Sequence, residues 1–283
     1  MITAEAVITK AVQDFLICPH CRNNQESTLT LILDAPPPFL KCAECDRHYP
    51  IINGIIDFCP GIEERTGTGL AQKFMEHKAV VSVYEDYFRP AFTRMGSSIK
   101  YNEEIQWLGS VKTDIPVSAV LDLACGTGKY TRLMNRLYQP EIVFSVDISL
   151  PMLEQAIVNA EKENIDNIVH IRADAGSLPF KTKSLQRTNC FGALHLFPDV
   201  PAAIREIGRV STTGAVFSCL TSRKTGRFVT GLGQSIFSKL FSFHFFDENQ
   251  LEKELGSAAF EGMKKKQKQM VLLFSCRKKE ATA

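Results

Sequence analysis

The chain has 283 residues and a formal net charge of +2, and 45% of its residues are apolar. Because these values are close to those of ordinary globular proteins, global disorder is not expected. The length allows one large domain and a smaller one. The near-neutral charge argues neither for nor against a nucleic-acid partner. No run reaches the roughly 18 apolar residues that a membrane-spanning helix needs, and no signal-peptide pattern opens the sequence.

Cysteine usage bears on the compartment. The chain contains nine cysteines, an odd number, and four of them form two tight pairs. This pattern suits metal binding in a reducing compartment better than it suits a disulfide framework. A cytoplasmic localisation is therefore expected.

The two cysteine pairs define the first predicted unit, residues 14–60. Cys18 and Cys21 are separated by twenty residues from Cys42 and Cys45, which is the spacing of a structural zinc site with four thiolate ligands. Zinc would supply folding energy that so short a segment cannot obtain from a core alone. The alternative is a pair of redox Cys-x-x-Cys motifs. We predict that these four cysteines bind Zn²⁺.

Residues 61–115 follow as a different kind of segment. They begin as a polar linker that contains glycine, and they continue with Phe74, Val81, Tyr84 and Phe88 spaced along one helical face. We interpret this stretch as a helical linker that also helps to cap a substrate site.

Residues 116–283 alternate between strand and helix patterns, which is typical of a mainly parallel sheet covered by helices on both faces. We predict an α/β fold of the doubly wound, Rossmann-like type, with a seven-stranded sheet and the zinc-ribbon module ahead of it. The predicted strands are residues 117–123, 141–146, 168–172, 187–191, 214–220 and 270–276. Predicted helices start near residues 130 and 151 and span residues 200–210.

The most informative motif is a glycine turn after the first of these strands. Gly126 and Gly128 let the backbone pass close to a ligand and adopt angles that other residues resist. Asp122 lies in the strand before the turn, Asp147 ends the second strand, and Asp174 closes the third. In nucleotide-binding folds a carboxylate at the position of Asp147 receives ribose hydroxyls. The alternative is that these carboxylates are helix caps and strand-end polar residues.

Four motifs in chain order resemble those of class I S-adenosylmethionine-dependent methyltransferases, over about residues 117–276. They are Asp-Leu-Ala-Cys-Gly-Thr-Gly, Val-Asp-Ile-Ser-Leu-Pro-Met-Leu, Arg-Ala-Asp-Ala-Gly-Ser-Leu-Pro-Phe and Phe-Gly-Ala-Leu-His-Leu-Phe-Pro-Asp. One departure is Ser-Thr-Thr-Gly at residues 211–214, where many relatives carry a Pro-Gly-Gly turn.

The resemblance implies a binding site for S-adenosyl-L-methionine. Asp122, Gly126 and Gly128 would surround the methionine part of this cofactor. Asp147 would hold the ribose, Ile148 would pack on the adenine, and Asp174 would accept a hydrogen bond from the adenine amino group. The complete predicted set for the cofactor is Asp122, Ala124, Cys125, Gly126, Gly128, Asp147, Ile148, Met152, Asp174, Ala175, Cys190 and Phe191.

The cysteine module carries a resemblance of its own. Residues 48–58 look like the end of small zinc-ribbon proteins that activate other methyltransferases. A zinc ribbon ahead of a class I domain is similar to the guanine-N1 ribosomal RNA methyltransferases, and equally to cyanobacterial and plastid methyltransferases akin to quinone-methylating enzymes. The Leu-Pro-Phe and Gly-Ala-Leu-His sequences fit the second group better.

The acceptor site is predicted from histidine and aromatic residues. A sulfonium methyl group is already a strong electrophile, so the protein has to align the reactants and exclude water. His195 is the candidate catalytic base, or it only lines the pocket. An insertion at residues 222–255 is rich in phenylalanine and is predicted to cap the substrate, although such a stripe is often core packing. The predicted substrate residues are Tyr84, Phe88, His195, Phe241 and Phe245.

We therefore predict a monomeric or homodimeric methyltransferase whose small-molecule acceptor is a largely apolar aromatic or prenylated compound, methylated on nitrogen, oxygen or carbon. One alternative is an RNA base methyltransferase, in which the C-terminal basic residues grip phosphate. Another is a cofactor-binding interaction protein without turnover. A nicotinamide oxidoreductase is disfavoured because Thr131 stands where the third glycine of that fingerprint belongs. The basic residues in question are Lys264, Lys265, Lys266, Lys268, Arg277, Lys278 and Lys279.

Overall fold

The computed structural model describes residues 4–22, 27–60, 99–225 and 244–279. Within these ranges lie the helices α1 (Ala4–Asp14), α2 (Tyr101–Ser110), α3 (Lys129–Tyr138), α4 (Leu150–Lys162), α5 (Val200–Val210) and α6 (Glu248–Ser257), and a short 3-10 helix at Leu194–Leu196. The strands are β1 (Leu29–Ile32), β2 (Phe39–Cys42), β3 (His48–Ile52), β4 (Ile55–Asp57), β5 (Ala119–Leu123), β6 (Ile142–Asp147), β7 (Ile168–Arg172), β8 (Leu185–Phe191), β9 (Ser211–Ser222), β10 (Phe260–Lys268) and β11 (Val271–Lys278). None of the described helices is long and apolar enough to cross a membrane.

The strands form one sheet in the order β1-β2-β3-β4-β7-β6-β5-β8-β9-β11-β10. The Rossmann-like prediction is confirmed, but the predicted seven strands were too few, because the sheet has eleven. The central strands β4 and β7, β7 and β6, β6 and β5, β5 and β8, and β8 and β9 pair in parallel. The outer pairs at both ends are antiparallel, so the whole sheet is mixed rather than mainly parallel.

The four extra strands come from the cysteine-bearing segment. β1 to β4 form an antiparallel meander, and β4 then pairs in parallel with β7, so that Ile55 lies opposite His170 and Asp57 opposite Arg172. The edge of the parallel sheet at β7 is therefore covered by this segment. A covered edge is protected from pairing with other chains.

Helices cover both faces of the sheet, as the alternating pattern predicted. In the largest apolar cluster, residues of α1, α5 and α6 pack on one face of the sheet. The cluster also contains Phe144 of β6, Phe217 of β9 and Phe180. On the opposite face, α2 and α3 pack over Phe191 and Leu273. The central strand β5 is buried along its whole length, which agrees with its uninterrupted apolar pattern.

One strand and one helix lie where the sequence pattern is weak. β10 was not predicted, because it is an edge strand with a bulge between Glu261 and Lys264 and few buried residues. It pairs with β11 and completes the far edge of the sheet. α6 begins at an Asp247 cap whose side chain accepts hydrogen bonds from the backbone of Asn249 and Gln250, a capping signal inside the segment predicted as a substrate cap.

Candidate functional site

The carboxylates predicted to bind the cofactor lie at or just beneath one edge of the sheet. Strands β5, β6, β7 and β8 run in parallel, so their carboxyl ends meet at this edge. Asp147 is the last residue of β6, and Asp174 comes two residues after β7. In an open parallel sheet the carboxyl edge is where ligands bind, beside the point at which the strand order reverses, and β5 is that point here.

The glycine turn after β5 leaves its backbone open at one position. Gly126 has φ +55°, and a Cβ atom placed there would meet nothing within 4 Å. Gly128 has φ +78°, but its Cβ would lie 3.1 Å from the Cβ of Ala156 on α4. Gly128 is thus required for helix packing, whereas Gly126 keeps room free at the carboxyl edge. Ala124 also adopts a left-handed φ of 55°, which is uncommon for a residue with a side chain.

Asp147 joins the second strand end to this turn. Its Oδ2 accepts a hydrogen bond of 2.8 Å from the Gly126 N–H, and its Oδ1 accepts one of 2.9 Å from the Ser149 N–H. The side chain is half-buried. The backbone N–H of Ala173 donates to the Asp147 carbonyl at 3.2 Å, which ties the end of β7 to the same place.

Asp122 lies beneath the turn rather than on its surface. The residue is 1% exposed, and its carboxylate accepts hydrogen bonds from the Thr131 hydroxyl at 2.7 Å and from the Asn189 amide at 3.2 Å. Burial raises the pKa of this carboxyl to about 6, against the opposing effect of these two donors. In this arrangement Asp122 holds α3 and β8 against the turn.

The other residues predicted for the cofactor surround these carboxylates. Asp174 is exposed, and its Oδ1 accepts a hydrogen bond from the Gly176 N–H at 2.8 Å. Ile148 is half-buried and follows Asp147 directly. The predicted residues that are buried or half-buried around them are Ala124, Cys125, Met152, Ala175, Cys190 and Phe191.

Cys125 contributes apolar bulk and backbone rather than a reactive thiol. The Cys125 thiol accepts a hydrogen bond from Ser145 at 3.0 Å, and its backbone N–H donates to the Val146 carbonyl. Burial raises the pKa of Cys125 well above the ordinary value. Cys190 is fully buried on β8. A thiol that stays protonated in an apolar surrounding is a poor nucleophile.

His195 lies in the 3-10 helix after β8, at the same edge of the sheet. Its Nδ1 is 3.3 Å from the hydroxyl oxygen of Thr221 at the end of β9, and its carbonyl accepts a hydrogen bond from the His244 N–H at 2.8 Å. Desolvation, with a smaller contribution from His244, lowers the pKa of His195 to about 4. The imidazole is therefore neutral at neutral pH.

The predicted substrate residues are only partly covered by the structure. Tyr84, Phe88 and Phe241 lie outside the described residues. Phe245 is half-buried and is bonded directly to His244, whose backbone contacts His195. Thr221 of β9 and His244 therefore both contact His195.

The four predicted metal ligands come together. The sulfur atoms of Cys18, Cys21, Cys42 and Cys45 all lie within 4.8 Å of one another, and those of Cys18 and Cys45 are 3.7 Å apart. Zinc–sulfur bonds of about 2.3 Å at tetrahedral angles require sulfur atoms about 3.8 Å apart. The donor set and its dimensions therefore fit a zinc ion. The Tyr49 hydroxyl lies 3.0 Å from the Cys18 sulfur.

Three residues of the site were missed by the sequence reasoning. Asn189 and Thr131 bind Asp122, and Thr221 contacts His195. A polar residue in a buried strand is the signal that could have found Asn189, since such residues need a hydrogen-bonding partner. Its Oδ1 is buried without a hydrogen-bond partner within the described residues.

This sheet order and open turn define a Rossmann-like fold, and known proteins share it. The family of methyltransferase domains matches residues 120–214. An uncharacterized chloroplastic methyltransferase of Arabidopsis thaliana is 33% identical over 142 residues, which are 47% of this chain and 40% of that protein. The demethylmenaquinone methyltransferase of Lactiplantibacillus plantarum is 31% identical over 161 residues, which are 55% of this chain and 68% of that protein.

A solved structure shares the fold. Haemonchus contortus phosphoethanolamine N-methyltransferase 2, in complex with phosphomonomethylethanolamine and S-adenosylhomocysteine, superposes with a TM-score of 0.60 at 13% identity and covers 74% of this chain and 59% of that chain. The chain spans about half the length of the plant relatives that it matches. It belongs to the class I S-adenosylmethionine-dependent methyltransferases.

Proposed function

We propose that this protein transfers the methyl group of S-adenosylmethionine to a small, largely apolar aromatic or prenylated acceptor, such as a quinone-like compound. The observation that carries the proposal is the desolvated, neutral imidazole of His195 at the same edge of the sheet as the open turn at Gly126. Close to this turn the buried rings of Phe191 and Tyr130 pack with centroids 4.7 Å apart, so the lining of the edge is apolar here. The Lactiplantibacillus plantarum relative is named for a reaction on demethylmenaquinone, an acceptor of this class.

The cofactor is placed on the open part of the carboxyl edge. S-adenosylmethionine supplies an electrophilic methyl group when bound. The open space at Gly126 lets the methionine part of the cofactor approach the backbone. The half-buried Asp147 offers a carboxylate to the ribose, and the exposed Asp174 offers one to the adenine. Asp122 contributes indirectly, because it is buried and holds Thr131 and Asn189 in place.

We propose that the acceptor binds next to the cofactor, on the side of the turn that faces β8 and β9. Phe191, Tyr130 and Leu220 belong to one apolar cluster that α2 covers, and of these three only Leu220 is half-buried rather than buried. We propose that the acceptor lies beside Leu220, where an apolar lining would exclude water. Residues on both sides of the stretch 226–243 contact His195, namely Thr221 before it and His244 after it. We assign this stretch the role of the cap.

His195 is expected to accept a proton from the acceptor. The His195→Ala variant is expected to lower turnover roughly tenfold or more, because a positioned base contributes about 10²-fold or more to proton transfer, and to leave the affinity for S-adenosylhomocysteine unchanged. Since a pKa of about 4 keeps the imidazole neutral above that pH, turnover of the wild type should fall only as the pH drops toward 4. Steady-state rates across the pH range check this. Unchanged turnover in the variant would remove His195 from the mechanism.

The acceptor class is tested by binding. With S-adenosylhomocysteine present, a prenylated naphthoquinol and an unprenylated aromatic phenol are titrated into the protein and followed by equilibrium dialysis. At least one of them is expected to bind. If neither binds, and no other apolar aromatic compound does, the proposed acceptor class is wrong.

An RNA base methyltransferase is the second candidate, but its basic residues are largely engaged. Lys266 and Lys268 both contact Glu103, Lys265 pairs with Glu248 at 3.0 Å, and Arg277 pairs with Asp114. These ion pairs leave less positive charge to meet phosphate. RNA binding would weaken steeply between about 0.05 and 0.2 M salt, whereas binding of an uncharged acceptor would not. A non-catalytic cofactor-binding protein would transfer no labelled methyl group to any fraction of a cell extract.

We further propose that the four thiolates hold a structural Zn²⁺ ion. In the described residues all nine cysteines are unpaired, so a reducing compartment such as the cytoplasm suits the protein. We retain the predicted division into residues 14–60, 61–115 and 116–283, with a monomer or homodimer as the assembly.

A further inference from the structure

A buried ion pair joins the cysteine-bearing segment to the candidate cofactor site. Asp57, the last residue of β4, lies opposite Arg172, the last residue of β7. The Arg172 Nη1 is 3.2 Å from the Asp57 Oδ2, and the two side chains are only 5% and 7% exposed. A charge pair removed from water to this extent is costly unless its hydrogen bonds are well satisfied.

Both partners are satisfied by backbone groups that belong to different elements. The Nε of Arg172 donates to the Ile148 carbonyl at 3.0 Å, and its Nη1 also contacts the Cys59 carbonyl at 3.4 Å. Asp57 accepts a hydrogen bond of 2.8 Å from the Cys59 N–H. One guanidinium group therefore connects the cysteine-bearing segment to the loop after β6.

The groups that Arg172 holds are the ones assigned to the adenosine. Ile148 is the residue placed against the adenine, and it directly follows Asp147, which is assigned to the ribose. Asp174 lies two residues after Arg172 in the chain. The Phe58 N–H donates to the Arg172 carbonyl at 2.9 Å, so the backbone beside Asp174 is also held from the cysteine-bearing segment.

We propose that the Asp57–Arg172 pair is a positioning device for the adenosine half of the cofactor. The cysteine-bearing segment then acts as one wall of the cofactor site rather than as a separate module for binding substrate. This inference rests on the proposed placement of S-adenosylmethionine. Lysine at position 172 would keep the charge opposite Asp57 but could not also donate from a planar fork to the Ile148 carbonyl.

The test compares three variants by calorimetry. We expect Arg172→Lys to weaken the binding of S-adenosylhomocysteine and of 5′-methylthioadenosine by the same factor of about ten, because both ligands contain the adenosine. Asp57→Asn keeps an acceptor for the Cys59 N–H and should weaken both ligands in the same direction. Arg223→Lys is the matched control, since Arg223 also donates to a carboxylate, that of Glu248, and to a backbone carbonyl, that of Gln269, but it lies just after β9. Its affinities should equal those of the wild type.

The positioning role has a kinetic signature that lost stability alone would not produce. In Arg172→Lys the KM for the cofactor should rise while kcat at saturating cofactor stays near that of the wild type. Equal affinities in wild type, Arg172→Lys and Asp57→Asn would overturn the inference, even if the melting temperature falls. Should the Arg172 variant fail to fold, Asp57→Asn decides alone. Absence of binding by the wild type would instead contradict the proposed function.

Discussion

Replacing Cys42 by Ser is expected to release the bound metal and to lower the free energy of unfolding by about 3 kcal/mol or more. Structural zinc contributes about 10–16 kcal/mol of binding energy in small zinc modules, and the loss of one of four ligands removes a large share of it. Cys42 is fully buried at the end of β2. The change therefore also leaves a hydroxyl group in an apolar environment.

Metal content measured by atomic absorption and urea unfolding check this prediction together. Cys276→Ser is the matched control, because Cys276 is also buried but belongs to no cluster of thiols that could hold a metal among the described residues. Its zinc content should equal that of the wild type. A Cys42→Ser protein that retains a full equivalent of zinc would contradict the four-thiolate site.

We expect the free energy of unfolding of Asp122→Asn, compared with that of the wild type, to be higher at neutral pH than at acidic pH. The pKa of Asp122 is raised from 3.8 to about 6 by burial. The stability from this group is fully present below pH 3.8, where both states are neutral, and it is lost as the pH rises through 6. A difference of this size corresponds to about 3 kcal/mol. Asparagine does not titrate. The free energy of unfolding of the variant, relative to that of the wild type, should therefore rise by about 3 kcal/mol between pH 4 and pH 8.

Urea unfolding at several pH values measures this gain. Asp166→Asn, a change at an exposed carboxylate, is the control and should show no comparable trend. A difference between Asp122→Asn and wild type that is constant with pH would show that the carboxyl group is not buried as described. We also expect the variant to bind the cofactor more weakly, because the network through Thr131 and Asn189 is arranged around a charged acceptor.

The sequence predicted the centre of the fold well, because its strands are buried on both faces. β7 and α5 were placed at their observed bounds, and β5 differed by two residues at its start. Continuous apolar runs that end in a glycine turn are a strong signal for parallel strands. The glycine turn and the cysteine cluster were predicted for a similar reason, since both depend on residue spacing within short segments.

The parts that could not be predicted depend on contacts between distant segments. Nothing local in residues 55–57 indicates that β4 pairs in parallel with β7, which lies more than a hundred residues further along the chain. The burial of Asp122 also depends on donors from α3 and β8, so its sequence position alone indicated a ligand contact. β10 was not predicted because this lysine-rich edge strand lacks the alternation of apolar and polar residues that is typical of a half-buried strand.

We propose that S-adenosylmethionine binds over the open backbone at Gly126, and a pair of glycine variants tests this placement. Gly126→Ala and Gly262→Ala place the same methyl group at similar φ angles, +55° and +63°, and both methyl groups would enter open space. Each change should cost about 1 kcal/mol of stability from backbone strain alone. Only the first methyl group would project into the proposed path of the cofactor.

Calorimetric titration of wild type and both variants with S-adenosylhomocysteine is the measurement. We expect Gly262→Ala to bind like the wild type and Gly126→Ala to bind roughly tenfold more weakly or worse. If Gly126→Ala binds the ligand as tightly as Gly262→Ala does, the cofactor does not pass over this turn, and the proposed cofactor site is wrong.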